Sequence, residues 1–370
     1  MKIIICGGHL TPALAVVDEL KKRSINDVIF IGRARATEGE RVPSAESIVI
    51  PNLGIKFYAI PTGRLQRKFT RYTLPSLLKA PVGVISSLLI LSQEKPDVVI
   101  SFGSYVALPV VIAAWVLGIP SITHEQTVKG GLSNQWISRF AKKIALSWPD
   151  SKQFFPEEKC VVTGIPIRRE ILNLKRHRTN RPAIFITGGN QGAHSINEAI
   201  LEVIESLLDK YEVYHQTGGA EKFRDFEMLT ARVSQLPRKL QKRYHVFKWL
   251  NSSELVDVYS RASLVVGRSG ANTLSEVAYL GIPGLFIPLP WAGSGEQDKN
   301  AQMLASTGAA LVLQQERLSP RRLLTAINAM VLRLDDYKVA AKKAKKLINP
   351  NAAKLFVDEA IKLVNKNNER

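Results

Sequence analysis

The chain has 370 residues, with 51 Lys and Arg against 32 Asp and Glu, a formal charge of +19. Hydrophobic residues make up 45% and charged ones 22%, too apolar and too mixed in sign for a disordered chain. Two cysteines exclude a disulfide framework and a paired C-x-x-C zinc site, and at about 150 residues per domain the length suggests two domains.

The chain opens with an apolar run, Lys2–Cys6, too short for a signal peptide and soon followed by Asp18 and Glu19. That reads as a cytoplasmic protein with free thiols. The stretch Val82–Leu91 is half the length of a membrane span, and Ala107–Pro120 is broken by Pro109 and Gly118, so no transmembrane helix is expected.

Lys2–Cys6 predicts a buried strand, then a Gly7-Gly8 turn and a helix over Pro12–Lys22. Val28–Ile31, Asp97–Ser101, Ser121–Thr123 and Ile144–Ser147 continue as β-branched runs separated by helical sequence. The pattern restarts at Pro182–Thr187, which runs into Gly188–Gly192 and a helix over Ser195–Leu208. Glu212–Gln216, His245–Trp249, Leu264–Val266, Gly284–Pro288 and Ala310–Leu313 are the later strands. Alternating strands and helices predict α/β architecture with parallel sheets: two doubly wound Rossmann-like units with a cleft between them. Arg168–Arg181, with seven Lys, Arg or His, reads as a linker. Asn351–Asn365 is amphipathic, with Ala353, Phe356, Val357, Ile361 and Val364 on one side.

Five segments carry chemistry. One is the polar loop Pro288–Ala301, which follows a strand and is rich in amide side chains suited to hydroxyl recognition, against an exposed surface loop. Gly7-Gly8-His9 sits at a strand-to-helix turn, where glycines admit a ligand and the helix start attracts anions; a turn with a structural histidine is the competing reading. Gly188–Ala193 has the placement of a phosphate loop, against a tight structural turn. In Arg268–Glu276 a strand ends and small residues open a helix. Ser269, Gly270 and Thr273 can donate to a diphosphate, and Glu276 can accept from a ribose diol; alternatively these residues cap the helix. His124-Glu125-Gln126 lies at the C-terminal end of a strand, where open α/β sheets bind ligands. Successive residues face opposite sides, so His124 and Glu125 are not an automatic acid–base pair. No Asp-x-Asp occurs, so a carboxylate-held metal has no obvious ligands and no cofactor is expected. His177, His194, His215 and His245 lack ligand spacing and read as structural or exposed.

Taken in order, these segments make the chain resemble the MurG family of GT-B-fold peptidoglycan N-acetylglucosaminyltransferases. The likeness rests on Gly7-Gly8-His9 with Pro12–Ala15, Gly103–Val106 with Pro109, and His124-Glu125-Gln126 with Leu132-Ser133-Asn134. It continues through Gly164–Arg168, Gly188–Ala193, Arg268–Glu276, and Gln297 with Asn300-Ala301. It implies inverting transfer of N-acetylglucosamine from UDP-N-acetylglucosamine to the C4 hydroxyl of undecaprenyl-pyrophosphoryl-MurNAc-pentapeptide, in wall synthesis at the cytoplasmic face of the membrane. It also implies an acceptor domain over 1–163, a donor domain over 164–345, and a terminal helix over 346–370 that packs back on the first.

On the donor side the resemblance assigns the ribose to Glu276 and the uracil to backbone near Leu250. The diphosphate falls to Arg168, Asn190, Arg268, Ser269, Gly270 and Thr273, and the sugar to Gln297 and Asn300. On the acceptor side it assigns Gly7, Gly8, Tyr105, Gln126 and Asn134, with His9 as first base and Glu125 as second. The family's first loop is usually Gly-Gly-Thr-Gly-Gly-His; this one is about three residues shorter. Thr127, Asn190 and Ile165 replace the usual Asn, Ser and Asn.

A lipid-linked acceptor calls for a membrane surface. Between Arg64 and Ser92 there is no acid, and Arg67, Lys68 and Arg71 interleave with Phe69, Tyr72, Leu77 and Leu78. A basic rim beside apolar residues is the composition of interfacial attachment, against an ordinary loop and core helix. The alternatives are a related enzyme with another lipid acceptor, a nucleotide-sugar 2-epimerase, or a sugar-nucleotide-binding protein without full catalysis. Nucleic acid is not expected as a partner, because no recognition motif accompanies the charge.

Overall fold

A computed structural model describes residues 1–35, 43–61, 63, 73–177, 179–292 and 295–368; the side chains of 73–79, 221 and 366–368 are not described. The chain forms two compact units, Met1–Arg168 with Asn349–Arg370, and Arg169–Ile348.

The first unit runs β1 (Ile3–Gly7), α1 (Leu10–Lys22), β2 (Val28–Gly32), α2 (Ala45–Asn52), β3 (Lys56–Ala59), α3 (Thr73–Glu94), β4 (Val98–Phe102), α4 (Ser104–Val116), β5 (Ser121–Glu125), α5 (Leu132–Ile137), β6 (Lys143–Leu146) and β7 (Cys160–Val162). The second runs α6 (Arg169–Leu172), β8 (Ala183–Thr187), α7 (His194–Lys210), β9 (Glu212–Gln216), α8 (Asp225–Ser234), α9 (Arg238–Gln241), β10 (Tyr244–Phe247), α10 (Ser252–Arg261), β11 (Ala262–Gly267), α11 (Ala271–Leu280), β12 (Gly284–Phe286), α12 (Glu296–Ala305), β13 (Ala310–Val312), α13 (Pro320–Leu332) and α14 (Leu334–Ala344). α15 (Ala352–Asn368) returns to the first unit.

The strand orders are β3-β2-β1-β4-β5-β6-β7 and β10-β9-β8-β11-β12-β13. The pairings are parallel throughout. In each sheet the order reverses once, between β1 and β4 and between β8 and β11. Open α/β sheets bind ligands at the carboxyl ends of strands flanking such a switch.

Burial on both faces explains the unbroken apolar runs. Ile3 and Ile5 enter one core with α1 and Phe356. Ile4 and Cys6 enter the other, with Val106, Val110 and Ala114 of α4. Ile184 and Ile186 of β8 pack with Ile196 and Ile200 of α7 and Leu323 of α13.

Two edge strands, β3 and β7, were not expected from sequence. They have only four and three residues and stay partly exposed, so neither carries an apolar run. The expected linker is not a loose tether. It contains α6, and Arg176 donates to the Tyr259 carbonyl at 2.6 Å and to that of Ala262.

Candidate functional site

At the first switch point, Gly7 ends β1 opposite Phe102 with φ +134°. A Cβ there would lie 2.8 Å from the Phe102 backbone, so only glycine fits. The Gly8 N–H donates to Gly103 O at 3.3 Å, joining the β1 and β4 turns. Gly103 and Ser104, which open α4, both have positive φ, +63° and +69°. Serine pays for that conformation in strain, a feature that collects at functional turns.

His9 is the N-cap residue of α1, partly buried, and its side chain caps nothing. Its Nδ1 lies 2.8 Å from the Gln126 amide nitrogen. Burial first, and the charge of Arg33 second, push the His9 pKa down to about 4, so the ring is neutral at physiological pH. Arg33 follows β2. It donates to Glu46 Oε1 at 2.9 Å and to the Tyr105 hydroxyl at 3.2 Å. The structure thus brings His9, Tyr105 and Gln126 together, and adds Arg33, which the sequence reading missed.

Glu125, the second candidate base, is tied into its own loop. It is 2% exposed, and both its oxygens are engaged twice. Oε1 accepts from Thr127 N at 2.8 Å and Thr127 Oγ1 at 2.7 Å; Oε2 accepts from Gly131 N and Asn134 Nδ2, both at 2.9 Å. Four hydrogen bonds use its acceptor capacity, so the carboxylate organises the 126–134 loop. Asn134, expected on the acceptor, belongs to the same strut. It also donates to His124 O at 3.0 Å and accepts from Thr123 Oγ1 at 3.1 Å. His124 faces the other way, between Phe102 and Phe356. Burial is the main cause that pushes its pKa down to about 4.

At the second switch point the loop after β8 is built from backbone. Gly189 and Gly192 have φ +77° and +80°. A Cβ on Gly192 would meet Thr217 O at 2.0 Å, and one on Gly218 would meet Gly192 N at 2.1 Å. The loops after β8 and β9 are therefore interlocked, and Gly219 N donates to Asn190 O at 3.0 Å. Asn190 itself is exposed. Ala193, the N-cap of α7, and Gly270, the N-cap of α11, provide no side-chain acceptor to the helix starts. These helix N-termini concentrate N–H donors and positive potential.

Arg268, expected on a diphosphate, is 9% exposed and bound to protein. It donates to Ile287 O at 2.9 Å, Pro288 O at 3.2 Å, Ser195 Oγ at 3.2 Å and Gln315 Oε1. All four acceptors are neutral, and burial lowers its pKa to about 10. It ties the start of α7 to the strand ends of β12 and β13. Ser269 Oγ donates to Gln297 O at 2.8 Å, and the buried Asn300 amide donates to Ser269 O at 3.2 Å. Gln297 Oε1 accepts from Leu289 N at 3.0 Å. These contacts fix α12 against α11; the half-buried Thr273 and Gly270 sit at the helix start. Glu276 is buried within α11, Leu250 is buried just after β10, and the half-buried Arg168 closes the first unit's main segment.

The remaining histidines are structural. His215 is fully buried between Asn197 Oδ1 and the Tyr244 hydroxyl, both at 3.0 Å. His194 pairs with Asp225, His245 with Glu212, and His177 approaches Ser260. Arg67, Lys68, Phe69, Arg71 and Tyr72, and the side chains of Leu77 and Leu78, lie outside the described residues. Among the described residues of α3, Val82, Ile85 and Leu89 are exposed by 50%, 57% and 67%. No described helix is long and apolar enough to cross a membrane.

Residues 6–146 match the glycosyltransferase family 28 N-terminal domain and residues 183–356 its C-terminal domain. The fold and the two loop sites define that class: a GT-B glycosyltransferase with two Rossmann-like units. A relative from Halalkalibacterium halodurans, named UDP-N-acetylglucosamine--N-acetylmuramyl-(pentapeptide) pyrophosphoryl-undecaprenol N-acetylglucosamine transferase, is 34% identical over 92% of this chain and 94% of its own. One of the same name from Bacillus cytotoxicus is 34% identical over 96% and 98%. The crystal structure of Acinetobacter baumannii MurG superposes with a TM-score of 0.71 at 28% identity, covering 98% of this chain and all of that one. A Neisseria meningitidis UDP-GlcNAc 2-epimerase bound to UDP-GlcNAc shares the fold, with a TM-score of 0.65 at 15% identity over 98% of this chain and 100% of that one. The chain belongs to the MurG family.

Proposed function

We propose that the protein transfers N-acetylglucosamine from UDP-N-acetylglucosamine to the C4 hydroxyl of undecaprenyl-pyrophosphoryl-MurNAc-pentapeptide, converting lipid I to lipid II in peptidoglycan synthesis. The observation that carries this reading is the near full-length match to transferases of that name, together with a loop site at each sheet's switch point.

In this reading the second unit binds the donor. Negative charge grows on the β-phosphate as UDP leaves, and the starts of α7 and α11, with Arg168, supply fixed positive potential. Glu276, backbone near Leu250, and Gln297 serve the ribose, uracil and sugar. The first unit binds the acceptor around His9, Tyr105 and Gln126. The acceptor C4 oxygen bonds to the anomeric carbon as its proton passes to His9, and the bond from that carbon to the phosphate oxygen breaks. Inversion follows from a single in-line displacement. A neutral imidazole is in the correct state to take the proton.

The enzyme works as a peripheral protein on the cytoplasmic face of the membrane, where wall precursors for cell shape and division are made. The exposed Val82, Ile85 and Leu89, on a segment without acids, support this. Co-sedimentation with vesicles should rise with anionic lipid and fall with salt and in Leu89→Asp. The test of the reaction is mass spectrometry of products formed from UDP-N-acetylglucosamine and the muramyl lipid. A disaccharide lipid plus UDP is expected; UDP-ManNAc, or no turnover despite donor binding, overturns it.

A further inference from the structure

His9 can take a proton on Nε2 only if the neutral ring keeps its own proton on Nδ1. A proton on Nδ1 needs an acceptor, and so does the imidazolium formed after transfer. The group 2.8 Å from Nδ1 is the side-chain amide of Gln126. With its NH2 turned to the ring, that amide meets a bare Nδ1, and the ring's proton sits on Nε2, the tautomer that cannot act as base there. In the same arrangement Gln126 Oε1 is buried without a partner. Amide oxygen and nitrogen occupy equivalent positions related by a half turn about the side chain. The half turn places Oε1 against Nδ1–H and leaves Nε2 bare.

The arm that presents the amide is held firmly. Gln126 is 6% exposed, and its carbonyl accepts from Trp148 Nε1 at 3.2 Å. It directly follows Glu125, whose four hydrogen bonds fix the loop. The ionisable groups nearby do not offer Nδ1 a carboxylate. Arg33 after β2 and His124 on β5 disfavour the protonated His9 ring, Glu125 is spent on its own loop, and the Cys6 thiol on β1 is buried.

We propose that Gln126 is a positioning residue that sets the tautomer of His9: its amide oxygen accepts the Nδ1 proton, so Nε2 is free to receive the proton of the acceptor hydroxyl. This rests on His9 being the base. A neutral acceptor does here what an aspartate does in a catalytic triad, but it leaves the imidazole pKa low.

The test uses the full chain with UDP-N-acetylglucosamine and the muramyl lipid. Gln126→Leu should lower kcat by about 10- to 100-fold with both KM values within about threefold. Gln126→Glu should restore kcat to within about tenfold and move the acid limb of the pH–rate profile up by about one unit or more, because a carboxylate stabilises the imidazolium. Nitrogen NMR of His9 should show the neutral ring protonated on Nδ1 in the wild type and on Nε2 in Gln126→Leu. Gln126→Leu with unchanged kcat and profile, or a wild-type ring bare at Nδ1, overturns the proposal. His9→Ala with near-normal kcat overturns the base reading beneath it, and about 100-fold loss there supports that reading separately.

Discussion

The two glycine loops occupy equivalent places in their sheets, yet they are built from different materials. After β1, Gly7 and Gly8 serve close packing against the β4–α4 turn, and the surroundings are side chains: His9, Arg33, Tyr105 and Gln126. After β8, the loop interlocks with Gly218, and what it presents is backbone and a helix start. Its nearby guanidinium, Arg268, is spent on neutral acceptors of the protein. Proton transfer needs a titratable group whose pKa can be tuned; holding a diphosphate needs rigid dipoles that do not titrate. The same topology has been fitted to each task, and the short first loop is consistent with a site that relies on side chains.

The sharpest way to test this contrast is to add one methyl group at each of two places in the second loop. Gly192→Ala forces a Cβ into Thr217 O and should cost several kcal/mol, or prevent the second unit from folding, as read by calorimetry. Gly189→Ala, with positive φ but nothing within 4 Å, should cost only about 1 kcal/mol. Equal losses would mean the interlock is not what holds the loop. Next in size, Glu125→Gln keeps one acceptor oxygen and turns the other, which accepts two hydrogen bonds, into a donor. It should lower melting temperature and reduce kcat by about tenfold, while the pH–rate profile keeps its shape, as expected of a carboxylate that only organises its loop. A profile that loses its acid limb would restore Glu125 as the base.

A smaller effect is expected from Arg33→Ala. Removing a like charge beside His9 should raise its pKa by less than about one unit, seen in imidazole NMR titration. No change would remove Arg33 from the site's electrostatics. The pH dependence of stability follows from the same groups. His9, His124 and His215 have folded pKa values of about 4, 4 and 3, below the unfolded 6.5. Between those values the unfolded chain binds more protons, so stability is fully present above about pH 6.5 and falls as pH drops through 6 to 4. Each unit of pKa difference is about 1.4 kcal/mol. His215→Gln, which keeps polar atoms for Asn197 and Tyr244, should flatten that acid slope.

Much of the architecture was legible because both sheets are covered on both faces, so their inner strands are continuous apolar runs. The edge strands β3 and β7 were not legible, since half-exposed runs of three or four residues look like loop. At the site, segment identities were legible but side-chain commitments were not. His-Glu-Gln announced a ligand-binding strand end, yet only the fold shows Glu125 and Asn134 clasping each other and Gln126 reaching back 117 positions to His9. Arg33 was hidden because nothing but its place after Gly32 marks it; a charged residue directly after a buried strand is the signal to look for. The partners of Arg268 were not legible, because a lone arginine beside small residues looks the same in sequence whether it faces a ligand or, as here, two carbonyls after β12, a serine hydroxyl and a glutamine side chain.

The return of α15 to the first unit has a consequence for biosynthesis. Phe356, Val357 and Ala360 are fully buried in the same core as Ile3, Ile5 and α1, although 348 residues of chain precede Asn349. During translation the second unit, continuous from Arg169 to Ile348, has all its parts before the first unit has its last helix. The core shared by β1, α1 and α15 is therefore complete only after the whole second unit has been made, so the half that begins first is the last to have all its parts.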